Sequence, residues 1–363
     1  MWGDIWLSPA SFCDLAGFSE DDHADAFSVF AHSCAAIASR SPPLRKAMPA
    51  PAPLEAVARK ALSEVSLDNA GARRFFESHF RPWRIVRHQE NTGRAGFLTG
   101  YYEPVVEGSL CRSREFTAPV LGPPDDLYSV RPYHDRATID SAPHGSFGTP
   151  LVWLRDRIEV FMIQVQGSAQ VRLPCGRFLR LVYAGRNGQP YTSIGRILTE
   201  SGAIAESAMS LAALKQWLRA NGQNPGYAGL ALMHQNKSFV FFALREVQKG
   251  SGPTGGQGIG LSALRSIAID RTIWSYGLPF WISAELPWRG SSASPFQRLM
   301  IAQDTGSAIA GSARCDIFFG SGDDAGARAG DIRHQGEFWV LLPRKRGSAD
   351  ERKSAFPRPC ADP

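Results

Sequence analysis

Apolar residues recur at helical spacing over the front of the chain, and the period shortens to two from about residue 96. Behind Asp21 and Asp22, the segment ADAFSVFAHSCAAIASR carries Ala24, Phe27, Phe30 and Cys34 on one helical face. Pro42, Pro43, Pro49, Pro51 and Pro53 then interrupt the chain. LEAVARKALSEV and AGARRFFESHF predict two further helices, the second with Asp68 or Asn69 as its cap. From Gly96 onward, GFLTGYYEPVVEG, IEVFMIQVQGSAQVRL, GRFLRLVYAG and KSFVFFALRE predict strands, being rich in branched and aromatic residues. One helix breaks this block, AIAESAMSLAALKQWLRANG, closed by Asn221-Gly222. The Gly-rich KGSGPTGGQGIG follows, as a linker or as a loop lining a site. The last third (LRSIAID, PFWISAEL, RLMIAQD, CDIFFG, GEFWVLL) predicts short strands between tight turns, the pattern of a small barrel. After Pro343 the chain turns polar and proline-rich, and a loosely ordered tail is expected.

With 363 residues, 44% hydrophobic and 20% charged, the chain is globular and can fill one large core or two smaller ones. Its net charge of +6 favours an anionic partner. It shows no compact Lys/Arg stripe and no helix-turn-helix, zinc-finger or RNA-binding signature, so no nucleic-acid partner is expected. An acidic glycan meets the same charge. The six cysteines (Cys13, Cys34, Cys111, Cys175, Cys315, Cys360) are scattered without a CxxC pair, so no metal is expected and buried free thiols are. The N-terminus has neither a basic start with a long apolar run nor a lipoprotein signal before Cys13, and no segment reaches the ~18 apolar residues of a membrane span.

Chemistry concentrates between Asp304 and Gly330, in DTGSAIAGSARCDIFFGSGDDAGARAG. Asp304 and Asp316 stand at the ends of short apolar runs, and Asp270 ends another upstream. Acids at strand ends between glycine turns can point into a cleft; acids in turns can equally cap backbone amides. The residues alone leave both readings open. Asp323 and Asp324 lie in GSGDDAG, where a solvated turn is expected.

Several segments in this order resemble the membrane-bound lytic transglycosylase A family of bacterial cell-wall enzymes. They are TGYYEP, IQVQGSAQVRLPCGR, YAGRNGQPYTSIGR, SFVFFALRE, SIAID and the Asp304–Gly330 stretch, together covering the chain from about Leu7 to Pro343. The resemblance implies a mainly β fold with flanking helices: a double-psi β-barrel domain with an inserted smaller β-domain and a substrate groove between them. The barrel domain would comprise residues 1–103 plus 247–343, the insert 104–246, and the tail 344–363.

It further implies cleavage of the β-1,4 bond between N-acetylmuramic acid and N-acetylglucosamine, with formation of a 1,6-anhydro ring. One carboxyl group serves both halves of that reaction, first as acid and then as base. By resemblance this is Asp316, with Asp304 as the supporting acid. An unperturbed Asp titrates near pKa ~3.9, and apolar flanks such as Cys315, Ile317, Phe318 and Phe319 would raise it. The candidate glycan contacts are Thr99, Tyr101, Tyr102, Glu103, Gln164, Gln166, Ser168, Tyr183, Asn187, Tyr191 and Asp270. Alternation in a strand would put Gln164 and Gln166 on one side. Trp153 and Trp339 are read as core. No cofactor is implied. The implied partner is the peptidoglycan glycan strand, acted on by a monomer in the periplasm or at the inner face of the outer membrane, with membrane contact only through a lipid anchor that the sequence does not display. Three positions depart from the family pattern: Ser307 and Ala310 in the DTG segment, the latter replacing a lysine, and Ala169, whose side chain is expected to crowd the sugar. A non-catalytic glycan-binding protein and a two-carboxylate hydrolase stand as alternatives.

Overall fold

The structure is a computed structural model and describes residues 6–64, 66–86, 96–247 and 252–344. Residues 345–363 of the expected tail, the start of the Gly-rich stretch at 249–251 and Cys360 lie outside the described residues. The chain forms two compact units: Met1–Gly100, Thr254–Phe318 and Ile332–Pro363, and Tyr101–Pro253 with Phe319–Asp331. The second unit therefore also takes in 319–331, a segment that the linear reading leaves with the barrel.

The chain opens with β1 (Trp6–Pro9), α1 (His23–Ala38), α2 (Ala52–Ala61), α3 (Asn69–His79), β2 (Phe80–Val86) and β3 (Gly96–Glu103). Asp22 and Asp68 cap α1 and α3 by accepting from Asp25 N and Gly71 N. The apolar faces of those two helices meet through Phe27, Phe30, Phe75 and Phe76, whose ring centroids lie 5.0–6.4 Å apart. The second unit runs through β4 (Val105–Ser109), β5 (Ala118–Leu121), α4 (Arg136–Ser141), β6 (Pro150–Leu154), α5 (Arg157–Gln166), β7 (Ser168–Arg172) and β8 (Phe178–Arg186). It continues with α6 (Ile194–Glu200), α7 (Leu211–Ala220), α8 (Ala228–Gln235) and β9 (Val240–Glu246). Then come β10 (Ser266–Ile269), β11 (Pro279–Leu286), β12 (Ser294–Asp304), β13 (Arg314–Ser321), α9 (Asp323–Gly330) and β14 (Arg333–Pro343).

In the first sheet the order β14-β11-β12-β10-β13-β3 returns to β14, which closes a six-stranded barrel; β2 and β1 extend it beyond β14. Pairing is mixed, with β10 parallel to β12 and antiparallel to β13. The second unit holds the sheet β5-β6-β4-β7-β8-β9. A closed barrel plus an inserted β-domain is the fold class expected.

Several elements differ from the sequence reading: α4, α6 and α8 are helices that it lacks, and the helix read over 203–222 begins only at Leu211. The segment IEVFMIQVQ is helical and not a strand: Asp156 caps α5 by accepting from Glu159 N, and Gly167 ends it at φ 85°. Its near-continuous apolar run comes from burial on most faces of the helix, a pattern that periodicity cannot separate from a buried strand. Asp323 and Asp324 open helix α9 instead of lying in a turn, where their negative charges suit the helix N-terminus. Among the cysteines, Cys34 and Cys315 are buried and free, Cys111 and Cys175 are free but exposed, and Cys13 is disulfide-bonded, against the expectation of buried thiols throughout.

A buried ion cluster ties α1 to the barrel. Arg265, just before β10, is 1% exposed and donates to both Asp21 carboxylate oxygens at 2.8 and 3.0 Å and to Asp25 at 2.7 Å. It also reaches the Leu299 and Asp22 carbonyls. Asp21 in turn accepts from Leu299 N at 2.8 Å, so nearly every polar atom of the pair is satisfied without water.

His23 lies beside this cluster, fully buried, with neither ring nitrogen hydrogen-bonded and its ring 4.5 Å from that of Phe18. Burial lowers its pKa; Asp21 opposes the shift, while Arg73 and Arg265 add to it. The unfolded chain takes up this proton near pH ~6.5 and the native one only at lower pH, so stability is present above that value and is lost as pH falls below it. Urea midpoints measured from pH 7 to pH 5 should fall more steeply for the wild type than for His23→Leu; equal slopes would contradict this.

Candidate active site

The register around Ala268 sets the geometry of the acids. Ala268 on β10 pairs with Asp316 on β13 and with Asp304 on β12, where the register shifts by a bulge after Ile267. Strands separated by a third lie roughly 9.5 Å apart, and directly paired residues share a face. The two acids therefore flank a methyl group.

Asp316 is half-buried. Thr99 Oγ1, from β3, donates to its Oδ1 at 2.5 Å, and Arg314 Nη2 donates to the same hydroxyl at 2.7 Å. That arrangement uses the lone pairs of the hydroxyl for the arginine and aims its proton at the carboxyl group. Arg314 also reaches the Cys315 carbonyl, and its guanidinium lies 5.3 Å from the centre of the Phe97 ring. Burial raises the pKa of Asp316, the Arg314 charge and the Thr99 hydrogen bond hold it back, and the negative charge of Asp304 adds to the rise. Arg314 is not among the candidates read from the sequence. Its signal was its position two residues before Asp316, which places both on one face of a strand.

Asp304 is engaged with backbone. Its Oδ1 accepts from Gly256 N at 2.7 Å and Thr305 N at 2.8 Å. Asp270 is 8% exposed and caps the turn after β10, accepting from Thr272 N, Thr272 Oγ1 and Gly311 N at 2.6–2.9 Å. The residue expected as a glycan contact thus joins two turns through one carboxyl group.

In the second unit, five of the nine expected glycan contacts turn inward. Glu103 is fully buried and accepts from Arg180 Nε and Nη2 at 2.8 and 3.1 Å, Gln170 Nε2 at 2.9 Å and Ser321 Oγ at 2.7 Å. Tyr102 packs its ring on Gly326, where a Cβ would stand 2.6 Å away. Gln164 donates to the Val240 carbonyl, Ser168 is buried, and Gln166 accepts from Tyr102 N at 3.3 Å. Asn187 donates to the His134 and Lys237 carbonyls and accepts from Phe239 N and Gln189 N, which leaves its amide no capacity for a ligand. Tyr102, Glu103, Gln164, Ser168 and Asn187, expected as glycan contacts, are thus all buried, and Glu103, Gln164 and Asn187 have side-chain partners within the protein. Gln164 and Gln166 do not share a face, because residues two apart on a helix point apart. Thr99, Tyr101, Gln166, Tyr183 and Tyr191 keep accessible surface. The Ala169 methyl lies in the core of the second unit, not against a ligand, while Ser307 and Ala310 are exposed. Among the described residues no three His, Cys, Asp or Glu side chains are grouped to hold a metal ion, and no helix is long and apolar enough to cross a membrane.

These contacts make the titration of Asp316 adjustable in known directions. Thr99→Val removes a donor to the carboxylate and should raise its pKa; Arg314→Met should raise it further; Asp304→Asn should lower it. Carboxyl ¹³C NMR titrations of the four proteins check the order. A pKa unmoved by Arg314→Met would contradict the electrostatic account.

Residues 97–243 match the model of the MltA specific insert domain, and residues 265–342 match the 3D domain. A membrane-bound lytic murein transglycosylase A from Vibrio cholerae is 34% identical over 252 residues, covering 67% of this chain and 64% of that protein. Its counterpart from Escherichia coli K12 is 33% identical over 261 residues, covering 69% and 67%. The chain thus spans about two thirds or less of the length of these two relatives. A crystal structure of a membrane-bound lytic murein transglycosylase from Agrobacterium tumefaciens superposes with a TM-score of 0.82 at 30% identity, covering 93% of this chain and 98% of that one. The structure of E. coli MltA with bound chitohexaose gives 0.66 at 25% identity, covering 95% and 93%. The chain belongs to the membrane-bound lytic murein transglycosylase A family.

Proposed function

We propose that this protein is a peptidoglycan lytic transglycosylase that cleaves the glycan strand in the bacterial envelope with Asp316 as its one acid/base. The observation that carries this reading is the contrast between the acids. Asp316, half-buried and raised in pKa by burial, accepts from the Thr99 hydroxyl, whereas Asp270 and Asp304 accept from backbone amides. The chitohexaose bound by a relative supports a β-1,4-linked amino-sugar chain as the ligand.

In the reaction, the Asp316 proton passes to the glycosidic oxygen as the C1–O bond breaks. The resulting carboxylate then removes the proton of the muramic acid C6 hydroxyl, whose oxygen bonds to C1. The acid is regenerated and no water is consumed. Thr99 donates to the carboxylate formed midway, and Arg314 polarises Thr99, so both groups act most strongly where negative charge develops. A hydrolase would need a second carboxylate free to activate water or to attack C1. The backbone hydrogen bonds of Asp304 favour a positioning role that also raises the pKa of Asp316.

Asp316→Asn should lower anhydro-product formation from purified peptidoglycan by about 10³-fold, within the range general acid–base groups supply, and leave strand binding in place. Product mass spectrometry separates the alternatives. Reducing ends would indicate a hydrolase, and intact strands with the wild type a binding protein. Because the raised pKa keeps the native state protonated where the unfolded chain is ionised, stability falls as pH rises through it. Asp316→Asn should therefore raise the melting temperature at pH 7.

A further inference from the structure

The second unit contains a cavity of about 40 Å³ that the proposed reaction does not use. Its floor includes Arg136, 3% exposed, whose guanidinium carbon lies 4.6 Å from the Phe161 ring centre and 5.2 Å from that of Phe239. Nε donates to the Asn236 carbonyl at 3.0 Å and Nη2 to the Ser238 carbonyl at 2.6 Å. Nη1 makes no hydrogen bond among the described residues. Two carbonyls satisfy donors without neutralising charge, so a buried cation lines the cavity with both N–H groups of Nη1 unused. Arg157 lines it as well, its Nη1 spent on the Asp140 carbonyl at 3.1 Å. The Asp140 carboxylate also lines it, 3.4 Å from His234. Burial and the charges of Arg112 and Arg157 keep His144 at the rim neutral. Two guanidinium groups against one carboxylate leave a single surplus positive charge. Ile139, Phe147 and Val160 supply apolar wall.

The geometry points to a binding site for a small monocarboxylate that carries a methyl-sized apolar group. The Arg136 Nη1 donor takes one carboxylate oxygen, and the apolar wall takes the alkyl part. One water needs roughly 10–15 Å³ of such space, so the cavity has room for about three or four waters; bonded atoms pack closer than waters do, so a small carboxylic acid of about propionate size fills the same space. A phosphate or sulfate brings two negative charges against a surplus of one, with Asp140 alongside, and is disfavoured. Two sources carry the chemistry: a free short-chain acid, or the carboxyl end of a peptide finishing in alanine. The site stands on its own residues and does not depend on the proposed glycan cleavage.

Full-length protein with labelled Ile and Val methyls is titrated separately with propionate, with N-acetyl-alanylalanine of either hand, and with inorganic phosphate. Saturable shifts of the Ile139 and Val160 methyls are expected with a Kd of about a millimolar. Binding of propionate alone assigns the site to a free acid; binding of the dipeptide assigns it to a peptide end. Arg136→Gln and Ala142→Leu, the second filling the cavity without touching the cation, should each weaken binding roughly tenfold or more. Where Arg136→Gln fails to fold, Ala142→Leu decides. The proposal is overturned if neither carboxylate shifts these methyls at about 50 mM, if phosphate binds as tightly, or if Ala142→Leu binds like the wild type.

Discussion

The pairing of β10 between β12 and β13 is the constraint on which the site depends. A slip of one residue on either side would turn Asp304 or Asp316 to the other face of the barrel wall. The slip is prevented from just outside the strand. Arg265 is locked to Asp21 and Asp25, its own carbonyl accepts from Ile301 N at 2.7 Å, and Leu264 N donates to the Phe318 carbonyl at 2.7 Å. Leu264 holds φ at 56°, a left-handed conformation that costs a non-glycine residue on the order of 1–2 kcal/mol. Removing one partner of a buried pair costs about 3–5 kcal/mol, because the other charge is left stranded, so the cluster holds as a unit. Stability here serves placement: α1, far away in sequence, holds the strand that sets the acids.

The electrostatics of Asp316 show why its neighbours are what they are. Burial alone would favour a permanently neutral carboxyl, a good acid that could not then serve as a base. Arg314, working through the Thr99 hydroxyl, supplies the opposing pull without forming a direct ion pair. A direct arginine–carboxylate pair would hold Asp316 ionised and leave it no proton to give. Through the threonine, Arg314 holds back the rise that burial causes. The lysine replaced by Ala310 is thus not the only source of positive charge near the acids, and Ala310 itself is exposed.

How much of this was legible beforehand follows from what local pattern can carry. The barrel strands and the three N-terminal helices could be read from short apolar runs and caps, which are local; the proposal for Asp316 rests instead on the order of motifs across the chain. The helix α5 was misread because it is apolar on most faces, so no polar stripe betrays its period; its ends, Asp156 and Gly167, carried the better signal. Glu103, at a strand edge, and Asn187, in a Gly-rich turn, read as glycan contacts, but their side chains have partners inside the protein. Those partners, Arg180, Ser321 and the backbone of Lys237 and His134, come from segments 50 to 218 residues away. Nothing in the composition distinguishes a partner inside the protein from one outside it.

The barrel closes on its last strand, and that has a kinetic consequence. β14 pairs with β2 and with β3, joining residues 80–84 to 339–343 and 96–99 to 333–336 across more than two hundred positions. At ~5–20 residues per second, a nascent chain leaves β2 and β3 without their partner for roughly 10 to 50 s. The second unit, whose main run from Tyr101 to Pro253 is contiguous, emerges complete apart from 319–331 during that interval. The order of synthesis thus lets the insert condense first, while the strand that carries Thr99 waits with an open edge for the end of the chain.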